Sequence, residues 1–315
     1  MASPSSPPDA GPAAPIIATL EEGRRQFLAL VDHIRPDLHR YCSRMTGSVA
    51  DGEDVVQDTL ARAYYQLSEM KALPPLRPWL FRIAHNRAID VLRREGYRAH
   101  ETLDDAGEVA DDGRLEPENA LARGQAVSAA ISAFLALAPA QRGCVILKDV
   151  LDYPLEEIAS ELDLSIAAVK AALHRGRLRL LELAKVPAPE RAPAPSSPAL
   201  ARYASLFNAH DWDGVRAMLA DDVRLDLVSR RKAAGRREVG VYFTNYERTG
   251  NWRVTTGWLD GREVLAVHVD GNFTRPGYFV ELILKDGLVV AIRDFRYVPY
   301  IAKEAEFTPA PPLPP

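Results

Sequence analysis

The sequence predicts a multidomain chain of two all-α domains, a helical bundle and a helix-turn-helix, followed by an α+β cone. Three observations predict it. Apolar residues recur at helical spacing through 51–94 and 154–180. Apolar and polar residues alternate over 223–229, 252–259, 263–270, 277–285 and 288–298, which reads as strands. Changes of composition then cut the chain into a tail (1–20), a helical domain (21–98), an acidic linker (99–120), a second helical domain (121–185), a Pro-rich linker (186–198), a mixed domain (199–302) and a Pro-rich tail (303–315). A chain of 315 residues gives each of these domains enough length to bury its own core.

Formal net charge is −4, from 39 basic and 43 acidic side chains, so contact with nucleic acid has to come from local patches. Cys42 and Cys144 are far apart and form neither a disulfide framework nor a zinc site, and no cofactor motif is present. The start, MASPSSPPDAGPAAP, lacks a basic segment followed by an apolar one, and no run of eighteen apolar residues occurs. These features lead us to expect a cytoplasmic protein without membrane contact, monomeric when free.

In DGEDVVQDTLARAY (51–64), Val56, Leu60, Ala63 and Leu67 form an apolar stripe and leave Asp51, Asp54, Asp58 and Arg62 on the opposite face. Ser48 with Asp51 three residues on reads as the helix start. In WLFRIAHNRAIDVLRR (79–94), Leu80, Ile83, Ala84, Ala88, Val91 and Leu92 form the buried side, with Arg82, Asn86, Arg93 and Arg94 outward and His85 beside them. Residues 74–98 hold six Arg against Asp90 and Glu95, a local net of +4 that suits phosphate.

These two helices, D-x-x-D-x-x-Q-D then W-L-F-R-I-A-x-N-x-A-I-D-x-L-R-R, resemble region 2 of bacterial RNA polymerase sigma factors of the extracytoplasmic-function class. The resemblance implies that Asp51, Asp54, Gln57, Asp58 and Arg62 contact the clamp of core RNA polymerase. It also implies that the basic helix and the loop before it engage the promoter −10 element. Asn86, Asp90, Arg93 and Arg94 follow from the motif, and Arg77, Trp79, Arg82 and His85 join them by position. Trp79 has two readings, capture of an unstacked base or a core anchor. Ordinary solvated charge is the alternative for either patch alone.

The acidic linker carries eight acids against Arg114 over 101–118 and cannot build a core. In PLEEIASELDLSIAAVKAALHRGRLRL (154–180), Pro154 opens a helix with Leu155, Ile158, Ala159 and Leu162 inward. Asp163 and Leu164 make a short turn, and Ser165 caps a second helix with Val169, Leu173 and Leu180 inward. So tight a turn is a helix-turn-helix, which presents Ser165, Ala167, Lys170, Ala171 and His174 to a major groove. Arg175 and Arg177 add to a net of +4 over 165–185. This block resembles sigma region 4, which implies −35 recognition and docking on the polymerase flap.

The spacer VPAPERAPAPSSP is extended and semi-rigid. Beyond it, helices at 200–209, 212–220 and 237–248 accompany the strands, with Asp286-Gly287 as a hairpin turn. That order, and NAHDWDGVRAMLADDVRLDLV (208–228), resemble SnoaL-like domains of the ketosteroid-isomerase type. Asp226, His268 and Asp294 are its pocket candidates, either a proton-transfer pair or structural polar groups. The reading that results is a sigma factor, not an enzyme, binding core polymerase and promoter DNA, with its C-terminal domain packed on the sigma domains to modulate them in cis. The alternative is a SnoaL-like enzyme or ligand sensor fused to a DNA-binding regulator.

Overall fold

The computed structural model describes residues 14–67, 69–94, 124–185 and 193–311, apart from 125, 128, 270, 272 and 273. The acidic linker at 99–120 and the first part of the Pro-rich one, 186–192, lie outside these residues. Helices α1 (Ala14–Val31), α2 (Arg35–Thr46), α3 (Val49–Leu67) and α4 (Leu76–Arg94) open the fold. Gly47 ends α2 at φ 77°, its N–H on Ser43 O at 2.7 Å. A Cβ there would stand 2.5 Å from Leu135, so Gly47 answers both conformation and packing. Ser48 Oγ then accepts the Asp51 N–H at 3.1 Å and starts α3.

After a 3-10 turn (Ile131–Ala136) come α5 (Pro139–Val145), which widens into a π turn over Ile146–Val150, then α6 (Leu155–Leu162) and α7 (Ile166–Ala184). Asp163 takes the left-handed turn at φ 56°, and Ser165 Oγ accepts Ala168 N at 3.1 Å to cap α7. The expectation of a separate core for each helical domain is corrected here. Leu38, Tyr41, Leu80 and Phe81 of the first domain and Phe134, Val145, Ile158 and Leu173 of the second belong to one apolar cluster. Short helices each offer one apolar face, and the two sets bury theirs against each other. Arg142, only 2% exposed, fixes the join: its guanidinium donates to Met45 O at the end of α2 and to Leu135 O and Leu137 O at 3.2 and 3.0 Å.

The third unit runs α8 (Pro198–Asn208), α9 (Trp212–Ala217), β1 (Leu219–Leu227), β2 (Arg231–Ala234), α10 (Arg236–Gly240), a 3-10 turn, α11 (Thr244–Glu247), β3 (Trp252–Leu259), β4 (Arg262–Val269), β5 (Tyr278–Lys285), β6 (Leu288–Asp294), α12 (Tyr300–Glu304) and β7 (Phe307–Pro309). Among the described residues the strands form one sheet in the order β2-β1-β6-β5-β4-β3-β7, with β1 parallel to β6 and the other pairs antiparallel. The β3–β4 and β5–β6 turns are Asp-Gly with positive φ at each residue, Asp260-Gly261 and Asp286-Gly287. The cone interior is filled by Tyr203, Phe207, Phe243, Tyr246 and Trp252.

Several boundaries differ from expectation. The helix read at 237–248 is broken into α10, the 3-10 turn and α11, and β6 ends at Asp294, with Phe295 still donating its N–H to Phe279 O at 3.0 Å. The segment expected to be a tail from 303 instead finishes α12 and adds β7 to the sheet edge. Gly257 makes that possible, since a side chain there would strike the Phe307 ring. No helix among the described residues is long and apolar enough to cross a membrane.

Candidate functional site

The outer face of the sheet does not meet solvent at its centre; it meets the helical domains. Val49 and Ala50 of α3 and Ile131 share a core with Leu259, Val264, Ala266, Phe279, Phe295 and Ile301. Around this apolar centre runs a ring of charge. Arg262 of β4 forks Asp51 at 2.9 and 3.0 Å, and Arg293 of β6 holds Asp54. Glu281, on the strand between them, reaches Arg293 at 3.2 Å and Arg262 at 3.8 Å and orients both. Asp260 accepts the Val49 N–H at 2.7 Å, so a turn of the cone caps the first turn of α3.

A second contact lies one helix away. Arg35 and the fully buried Glu53 form an ion pair that Tyr300 completes: its hydroxyl accepts from Arg35 at 2.6 Å and donates to Glu53 at 2.8 Å. Glu304 bridges Arg44 at 3.0 Å and Arg40 at 3.3 Å. Burial alone would raise its carboxyl, but the two guanidinium groups outweigh burial and hold it below its usual range. Glu306 accepts the Ile131 N–H at 3.1 Å. As contacts of the helical domains, Asp260, Arg262, Arg293, Glu304 and Glu306 were missed in the sequence. For Arg262 and Arg293 the signal there was charge on strands whose other face is apolar, while the other three lie in a turn, a helix and a loop.

The remaining α3 residues are placed differently. Gln57 is half-buried, while Asp58 is paired with Arg87 of α4 and lies 3.6 Å from Arg62. On α4, Arg82, Asn86, Arg93 and Arg94 are exposed, and Asp90 accepts from Arg87 at 3.0 Å. Trp79 packs on the shared core. Arg77 turns inward to Asp37 at 2.7 Å and stands over the Tyr153 ring at 5.1 Å. His85 also turns inward, to the Tyr41 hydroxyl at 2.7 Å, and burial pushes its imidazole down to about 4, which leaves it neutral. On α7, Ala167, Lys170 and Arg175 are exposed beside the capping Ser165, and His174 is half-buried. Ala171 is buried, and Arg177 forks Asp149 at 2.9 and 2.5 Å, so neither projects outward.

The pocket candidates do not converge. Strand register puts Asp294 opposite Val280 and Val280 opposite Leu265, on the face inside the cone, whereas His268 alternates with Val267 onto the outer face. Asp294 is fully buried and accepts from Tyr242 at 2.6 Å, Tyr246 at 3.1 Å and the Arg296 N–H at 2.8 Å. Burial raises its carboxyl against the pull of these bonds. His268 meets Thr255 Oγ1 at 3.0 Å, and Asp226 lies beside Arg293 in the sheet with Lys232 at 3.6 Å. A proton-transfer pair of His268 and Asp294 is therefore ruled out by the pleat. Among the described residues no cluster of His, Cys, Asp or Glu is placed to hold a metal ion.

Residues 30–98 match the family Sigma-70 region 2, and residues 129–180 match Sigma-70, region 4. The chain is 33% identical over 162 residues to the ECF RNA polymerase sigma factor SigL of Mycobacterium tuberculosis, covering 49% of this chain and 89% of SigL. It belongs to the ECF sigma factor family. The ECF RNA polymerase sigma factor SigG of the same organism is 33% identical over 218 residues, 61% of this chain; that match spans 59% of SigG, less than two thirds of its length. Among solved structures, the crystal structure of the M. tuberculosis ECF sigma factor SigJ aligns over 85% of this chain and 95% of its own at 22% identity, with a TM-score of 0.34. In this ECF factor the region 2 match takes in α2–α4 and the region 4 match runs from the 3-10 turn into α7, and the α+β cone follows them.

Proposed function

We propose that this protein directs core RNA polymerase to particular promoters and begins their melting, and that its C-terminal cone holds it in a latched resting form. One observation carries the latch: Asp51 and Asp54, at the head of the face assigned to the polymerase clamp, are already engaged by Arg262 and Arg293. A clamp that binds this acidic face has to displace those guanidinium groups. The promoter elements add a second constraint. Two sites about 25 base pairs apart are separated by roughly 85 Å at 3.4 Å per step, whereas helices that share a core lie about 8–10 Å apart. Reading both sites requires the two helical domains to part.

Once apart, Arg82, Asn86, Arg93 and Arg94 on α4 and Ala167, Lys170 and Arg175 on α7 offer cationic and hydrogen-bonding groups to phosphates and base edges. Unstacking a −10 base costs a few kcal/mol, which stacking and phosphate contacts recover. The test is core-polymerase binding and run-off transcription, comparing the full chain with the double variant R262E/R293E. We expect binding at least tenfold tighter and more transcript from the double variant. Equal binding by both forms removes the latch, and the lack of any promoter-specific transcript from either removes the sigma reading.

A further inference from the structure

The 3-10 turn Ile131–Ala136 touches both seams of the molecule. Ile131 lies in the core that faces the cone, and Phe134, three residues on, lies in the core shared by the helical domains. Side chains three apart eclipse one another on a 3-10 turn, so the two cores meet along one side of it. The cone holds this turn in two ways. Glu306 accepts the Ile131 N–H at 3.1 Å. Glu304 acts through Arg44 of α2, whose guanidinium donates to it at 3.0 Å and stands over the Phe134 ring at 5.8 Å.

Arg44 is where three units meet. It belongs to the first helical domain, stands on a ring of the second and pairs with a carboxylate of the cone. It is 7% exposed, its Nη1 also donates to Arg40 O at 3.2 Å, and its Nε finds no partner among the described residues. Arg40, the other cation on Glu304, is 37% exposed and can turn to water in place. The carboxylates that stabilise the Arg44 charge, Glu304 first and then Glu306, both belong to the cone's C-terminal segment. A buried guanidinium stripped of its carboxylate is costly, so Arg44 has to turn to water when the cone departs, and it uncovers the Phe134 ring as it does. We propose that Arg44 couples docking of the cone to closure of the two helical domains: cone in place, it is held over Phe134 and pins the turn to α2; cone gone, it swings out and the seam loosens. The end of α2 suits this role, since Met45 O accepts from Arg142 and Gly47 closes on Leu135 within the next three residues. Covering Asp51 and Asp54 keeps polymerase away, and this second action keeps the DNA-reading domains together. The coupling deepens the latch proposed above and rests on it. It is reciprocal, so closure strengthens docking by the factor by which docking strengthens closure.

The test is hydrogen exchange on the full chain, read at α6, which packs on α4 across the seam. R262E/R293E breaks the opposite side of the cone's contact and should raise α6 exchange about tenfold in an otherwise unaltered chain, a common size for coupling between two sites. In an Arg44→Ala background α6 exchange should already be raised. There R262E/R293E should add less than a further twofold, while it still speeds exchange at Val49, whose N–H Asp260 holds. An equal response of α6 in both backgrounds overturns the role of Arg44, and no response in either overturns the coupling. Val49 unmoved by R262E/R293E overturns the latch on which the coupling rests. Should Arg44→Ala lose its helical circular dichroism, Glu304→Gln, which keeps Arg44 and the shape of its partner, takes its place in the cycle with the same expected and overturning results. No polymerase enters this experiment, so its failure is distinct from failure of the sigma reading.

Discussion

Two seams hold the closed molecule, and they differ in where their charge lies. Between the helical domains the join is an apolar core with Arg142 sunk in it, its guanidinium donating to the carbonyl oxygens of Met45, Leu135 and Leu137. Between α3 and the cone the centre is also apolar, but the ion pairs made by Arg262 and Arg293 remain partly wet, with Arg262 44% exposed and Asp54 53%, beside the buried Arg35–Glu53–Tyr300 contact. Coulomb attraction at such a rim is screened by salt and replaceable by another cationic surface, whereas a buried guanidinium has no substitute partner. The difference teaches an order of events. Under the latch proposed above, the cone would leave first, exchanged for polymerase, and the helical domains would part afterwards.

The sharpest way to break the first seam is Arg142→Ala, which strands the Met45 carbonyl at the end of α2 and those of Leu135 and Leu137, and removes the link between the domains. We expect a loss of about 3–5 kcal/mol, read as a lower midpoint in urea unfolding, and a loss below 1 kcal/mol would sink the contrast.

A second lever is pH. Glu161 of α6 is 4% exposed and faces α4 across the seam, with neither carboxylate oxygen hydrogen-bonded among the described residues. Burial pushes its carboxyl up to about 8; Glu157 adds to the rise, Arg77 and Arg82 of α4 oppose it, and the Tyr41 and Tyr153 hydroxyls lie in the same field. A carboxyl raised by closure takes up a proton as the seam shuts. Closure is therefore strongest below pH 4.5 and weakens as pH rises toward 8. Glu161→Gln should flatten that dependence and tighten the helical domains at neutral pH, measured as hydrogen exchange of α4 and α6. An unchanged pH profile in the variant would mean that Glu161 finds a partner in solution.

The smallest effect should come from Arg262→Ala, about 0.5–1 kcal/mol of cone docking, shrinking further in 0.5 M salt. A salt-independent loss would show the rim to be drier than its exposure indicates.

The helical parts of this fold were legible because their signals are local. Ser48, Asp163 and Ser165 fix helix ends within three or four residues of themselves, and the spacing of Val169, Leu173 and Leu180 declares which side of α7 is buried. Five strands were legible in the same way, β2 (Arg231–Ala234) and β7 (Phe307–Pro309) were not, and Asp260-Gly261 has the chemistry of the Asp-Gly turn recognised at 286–287. Of the residues assigned to DNA, those with inward partners could not be told from their neighbours. Arg177 and Arg175 are both basic residues on one helix, and only the presence of Asp149 on another segment separates them.

What the sequence determined by itself is the inventory: acidic helix, basic helix, capped helix-turn-helix and alternating strands, each set by periodicity and by end chemistry that acts over one turn. What only the tertiary structure decided is who answers whom. Asp51 and Arg262 are 211 residues apart in the chain, as are Val49 and Asp260, and His268 and Asp294 are turned to opposite faces by a pleat whose register no single strand fixes. Hydrogen bonds and ion pairs act over a few ångströms of space, so their partners become defined only when packing has brought distant segments together.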